Sequence, residues 1–210
     1  MLINQFLRIR RHHLTLIAIA AQCIACGGSS TKNGPIKSSE PKTADFGVES
    51  YLPLIRDTVL SFETEREGSS ERGLLVMQIR RPRADMAELH IGNKIHRLDL
   101  VKDGVRYAEG GYVLKLPLEV GATFSGQYGL VKVINVHQTV VVPAGHFDGC
   151  VVTEESSGTS RTTTTYCPTI GITQLEVESL SADAPGREIV RLKSNGPLVD
   201  LGQDQLKVTQ

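Results

Sequence analysis

The chain has 210 residues, 23 Lys+Arg against 23 Asp+Glu, no tryptophan, and five each of Phe and Tyr. That length allows one domain with appendages. The balanced charge offers no field for nucleic acid or an anionic surface, and so few aromatics make a poor stacking platform.

The first element is an address. Arg8, Arg10 and Arg11 form a basic stretch with no acid before Cys26, which leaves 20 cations against 23 carboxylates in the remainder. An apolar run from Leu14 to Ala21 follows. It is shorter than the roughly 20 residues that span a bilayer, and long enough for the apolar heart of a signal peptide. Cys23-Ile24-Ala25-Cys26 resembles a bacterial lipobox, with Cys23 where leucine is usual. The resemblance implies that residues 1–25 are removed and that Cys26 is thioether-linked to diacylglycerol and then N-acylated. At about 0.8 kcal/mol per buried methylene, two or three chains hold a membrane where one does not. Cleavage after Ala18-Ile19-Ala20, giving a soluble secreted protein, and an uncleaved anchor are the alternatives. Gly27 after the cysteine matches the outer-membrane sorting pattern of enteric bacteria.

Residues 26–46 read as a tether. Gly27 to Thr43 is rich in Gly, Ser, Lys and Pro and has one isolated apolar residue, Ile36, so it cannot bury a core. Its length corresponds to a reach on the order of 20–25 Å.

Residues 47–194 read as a β-domain, opened by Tyr51-Leu52-Pro53-Leu54. Strands are expected over 57–64 and over 74–80, the second stopped by Pro82. A hairpin over 86–91 and 94–101 turns at Gly92-Asn93, and Lys102-Asp103-Gly104 leads into 105–108. Pro117 marks 112–118 as an edge or a strand end. Segments 120–126 and 130–142 continue the series, and 171–180 and 188–193 supply the last strands. Residues 195–210 are a weakly patterned tail. Nothing reads as a strongly amphipathic helix. Short strands on Gly, Asn and Asp turns predict an all-β fold. The expected form is a single antiparallel meander sheet of about ten strands, strongly curved into a half-barrel or open barrel that hides its edges.

The segment from Thr139 to Glu178 is the most explicit. Pro143-Ala144-Gly145 breaks one strand, a second runs over 149–154, and Arg161 to Cys167, with four successive threonines, forms a third. Cys150 and Cys167 are equidistant from the midpoint between Gly158 and Thr159. A hairpin folded there sets them directly opposite each other, at a separation that suits a disulfide. Two buried free thiols are the alternative.

Four segments resemble a family of exported bacterial β-domains, often lipoproteins. Tyr51 to Leu54 matches Y-x-P-L, and Pro117 to Phe124 matches P-L-x-x-G-x-x-W with Phe124 in place of tryptophan. Val142 to Cys150 matches V-P-A-G-x-F-x-x-C, and Tyr166 to Gly171 matches Y-x-P-G-V-G. Arg56 to Val59 stands where Gly-x-x-Trp is usual. The resemblance implies a curved sheet distantly like the half-barrel lipoprotein carriers, and it brings no catalytic residues.

No residue pattern announces chemistry. Serine sits in no Gly-x-Ser-x-Gly elbow, and no phosphate loop is present. His90 and His96 lie on neighbouring strands and could approach each other, but a metal would need a third ligand, and Asp99 and Glu88 are only the nearest names. His146 beside Asp148 reads as a turn stabiliser, and Glu154-Glu155 as carboxylates facing opposite sides. No catalytic, metal or cofactor residue is therefore assigned. The sites are Cys26 for lipidation and the Cys150–Cys167 bridge. The expectation is a membrane-anchored envelope lipoprotein that binds an apolar molecule or a partner protein. A hydrolase of envelope material and a purely structural envelope protein are the alternatives.

Overall fold

Apolar residues recur at every second position through most of the domain, and a sheet with one buried face follows from that period. A computed structural model of the chain describes residues 47–54, 57–182 and 185–197. Cys26, the expected signal and tether, and the tail after 197 lie outside the described residues. Among the described residues, one short helix, α1 (Val48–Tyr51), precedes twelve strands. These are β1 (Thr58–Arg66), β2 (Arg72–Arg83), β3 (Met86–Ile91), β4 (Lys94–Val101), β5 (Gly104–Tyr107) and β6 (Tyr112–Lys115), then β7 (Thr123–Ser125), β8 (Leu130–Val142), β9 (Gly145–Ser156), β10 (Ser160–Cys167), β11 (Gly171–Ser179) and β12 (Gly186–Pro197).

All twelve strands form one antiparallel sheet in the order β6-β5-β4-β3-β2-β1-β12-β11-β10-β9-β8-β7. The fold is all-β and curls into a nearly closed barrel, with twelve strands where about ten were expected. The order is that of a meander whose first and last strands meet. Neighbours in sequence pair within each half, but β1 also pairs with β12, so the first and last strands meet in mid-sheet. The edges are β6 and β7, which follow each other in the chain. They lie side by side: the Tyr112 and Phe124 rings are 6.2 Å apart. Gly111, at φ 80°, has no room for a side chain, because a Cβ there would meet the carbonyl of Gly126. Both edge strands are short, as exposed edges tend to be.

Two boundaries differ from the sequence reading. Pro82 does not stop β2, which runs on to Arg83. The ladder with β3 shifts register between Arg80 and Arg83, so the proline sits in a bulge where its missing N–H is tolerated. At the other end, β12 continues to Pro197, three residues into the segment read as tail.

Every strand contributes to one buried cluster on the concave face. Phe62, Leu114, Val133, Val151 and Leu192 are wholly buried. Phe62 lies opposite both Leu75 and Leu192, which fastens the two halves together. The Tyr166 hydroxyl of β10 reaches the opposite wall and donates to the Val113 carbonyl of β6 at 3.3 Å. Burial pushes the Tyr107 and Tyr166 hydroxyls well above the usual phenol range, so both are neutral donors.

Cys150 and Cys167 are joined, with Cα atoms 4.2 Å apart. The β9–β10 ladder pairs Arg161 with Ser156 through to Tyr166 with Val151, and the next opposed pair is the two cysteines. They face away from Val151 and Tyr166. Val152, Thr165 and Thr173 on that side are buried too, so a second packed layer covers the bridge. Thr173 Oγ1 lies 3.2 Å from Cys167 Sγ.

Candidate functional site

The two ends of the barrel differ. At one end are the turns β2–β3, β4–β5, β8–β9 and β10–β11 and the β6–β7 connection, together with α1. Val48, Leu52 and Leu54 are buried there, and α1 touches β5 and β11, strands on opposite walls. The helix therefore plugs this mouth. Its bonds are specific. Thr169 N–H donates to the Ser50 carbonyl at 2.7 Å. Arg81 donates from Nη1 to the Leu54 carbonyl at 2.8 Å, and its backbone N–H donates to Asp57 Oδ1 at 2.9 Å. The β8–β9 hairpin also reaches this end of β12, where Ala144 N–H donates to the Leu192 carbonyl at 3.0 Å.

All four segments singled out in the sequence gather here. Tyr51–Leu54 continues the plug, Pro117–Phe124 joins the two edges, Val142–Cys150 is the β8–β9 turn, and Tyr166–Gly171 is the β10–β11 turn. Their shared job in this chain is to build one end of the barrel. Thr169 has φ 67°, the left-handed region that β-branched residues avoid, and it occupies the position where the resembling pattern has glycine. Its N–H bond to Ser50 holds it there. Thr169→Gly is expected to stabilise the domain by about 1 kcal/mol through relief of that strain. The midpoint of urea unfolding should rise; an unchanged or lower midpoint would show that the turn is not strained.

Between the plug and the wall lies a cavity of about 430 Å³, lined by Val48, Ser50, Leu100, Val105 and Leu116, with Glu49 and Lys102 among its polar groups. Ligand sites fall in this size range and combine apolar walls with a few polar groups. Sequence reading missed the plug, because one helical turn has too short a period to register. The signal was the spacing of Val48, Leu52 and Leu54 ahead of the first strand.

The histidines do not converge. His90 Nε2 lies 3.1 Å from Glu88 Oε2 on the convex face, whereas His96 points inward with its ring edge-on to Tyr107 at 6.0 Å. They sit on opposite faces of the sheet. His146 Nε2 is 3.2 Å from Asp148 Oδ1, as a turn stabiliser would be. Thr139 donates to the same carboxylate at 2.6 Å, and this bond, with His146, holds Asp148 below the usual carboxylate range. Backbone N–H of His137 donates to Asn135 on the bulged part of β8. Among the described residues no group of three or more His, Cys, Asp or Glu could hold a metal. Glu154 pairs with Arg161 at 3.7 Å, while Glu155 accepts from the N–H groups of Tyr128 and Gly129 at 2.6 and 3.0 Å. The threonine run splits between the two faces, with Thr164 opposite Thr153 and Thr165 opposite Val152.

No protein-family model matches the chain, and no curated protein is significantly similar to it in sequence. Solved structures do match. One, from Bacteroides fragilis, is of a protein with a YmcC-like fold that is taken to be exported. It is 10% identical, with a TM-score of 0.43, over 67% of this chain and 96% of that one. A likeness at that level identifies neither a family nor an activity. The family resemblance of the four segments therefore rests on the segments alone.

Proposed function

We propose that the chain is a non-enzymatic domain of the bacterial envelope, tied to the outer membrane through lipidated Cys26, that binds a small apolar or amphiphilic molecule behind its plug. The observation that carries this reading is the cavity of about 430 Å³ between α1 and the β4–β5 turn. The concave face itself carries the buried apolar cluster, which leaves the recess by the plug as the better place for a ligand. The cavity is a better fit for a small molecule than for a partner protein, since Val48, Leu100 and Val105 line a recess and not a projecting surface.

The test is native mass spectrometry of the full chain after gentle membrane extraction. A co-purified small molecule is expected, and Ser50→Phe, which fills the recess, should lose it while keeping its thermal midpoint. A wild-type protein that carries no ligand and takes up none from envelope extract would leave only the scaffold role. The intact mass also reads the anchor: cleavage before Cys26 with two or three acyl chains is expected, and an unacylated mass would remove that part of the proposal.

A further inference from the structure

Among the described residues, the other end of the barrel holds a charge without a hydrogen-bond partner. Lys94 opens β4 directly after the Gly92-Asn93 turn. It is opposite Ile91, and Ile91 is opposite Met77, so Lys94 shares the inner face with His96 and Leu98. Its Nζ is buried with no hydrogen-bond partner among the described residues. A buried ammonium left unpaired is one of the least favourable arrangements a fold can hold.

The inward-facing carboxylates of the strands have other partners, and Glu109 of the β5–β6 turn is exposed. Glu155 accepts from the backbone N–H groups of Tyr128 and Gly129. Glu188 lies 3.9 Å from Arg66. Glu88 faces outward, between His90 and Arg97. On the face of Lys94, Ile91 and Met77 are apolar, His96 lies two residues along β4, and Leu98 is buried deeper in.

We propose that Lys94 anchors the carboxylate of a small ligand with a short apolar body, which enters at the end opposite α1. The ammonium is a compact charge with three donors and suits one carboxylate. Ile91 and Met77 provide the apolar contact, and the closed layer at Leu98 limits the body to a few carbons. Lys102, which lines the cavity by the plug, is at the opposite end of β4, roughly 25 Å along the strand. The two sites are therefore separate, and either can fail alone.

The probe is sodium butyrate, followed by thermal unfolding of the full chain. Wild type should show a saturable rise in Tm of about 3–6 °C at ten times the dissociation constant. Lys94→Met should show none and should start from a higher Tm, because the unpaired charge is gone. Lys94→Gln serves as the neutral variant if methionine prevents folding. Butyramide has the same body without the charge, and chloride the charge without the body; neither should match butyrate. Equal shifts in wild type and variant, no shift in wild type, or an equal response to butyramide or chloride would each overturn the assignment.

Discussion

Phe62→Ala is expected to destabilise the domain by about 3–5 kcal/mol, the range for deleting a buried aromatic ring. Phe62 is wholly buried on β1, the strand that pairs with both β2 and β12. The ring fills the space between Leu75 and Leu192, so its loss leaves a cavity where the first and last strands join. The walls are tied laterally to their neighbours, so the site has little freedom to collapse. Thermal unfolding should start about 10 °C lower. In urea the midpoint should fall while the slope stays the same, because the unfolded chain is unchanged. A loss below about 1 kcal/mol would mean that the two halves are held mainly by backbone pairing.

Removing the disulfide should give a loss of similar size with a different signature. Cys150→Ala with Cys167→Ala opens a loop whose ends are 17 residues apart. Chain-entropy arithmetic assigns such a closure about 3 kcal/mol. That term acts on the unfolded state, which becomes less compact without the bridge. The urea slope should therefore increase as the midpoint falls, in contrast to Phe62→Ala. Both cysteines are wholly buried, so the double variant is a cleaner test than added reductant. An unchanged slope would place the effect in the packed layer around Val152, Thr165 and Thr173.

The contrast between these two positions tracks what could be read from residues alone. The cysteine register followed from counting outwards from Gly158, since one turn fixes every pair in a hairpin. The same holds for the hairpin at Gly92-Asn93, whose arms fall at the expected residues. Phe62 could be seen as a strand residue, but its partner Leu192 could not be named. Pro82 marks a bulge and not a strand end, because a bulge depends on the neighbouring strand and not on the proline. From the residues alone Lys94 is only the start of a strand. Its side of the sheet depends on Ile91 opposite it, and the burial of its Nζ depends on the closure of the barrel.

The sequence by itself determined the class of fold, most strand positions and the disulfide, because side-chain alternation and turn residues act over a few neighbours. Only the tertiary structure decided that β1 and β12 pair, that the edges lie at β6 and β7, and that α1 closes one mouth. Those contacts join residues as distant as Glu65 and Arg191, 126 positions apart. Nothing local distinguishes such a partner from other strands of the same period. It is chosen by the closure of the whole sheet around one core, where each wall must bury its apolar face against the others at once.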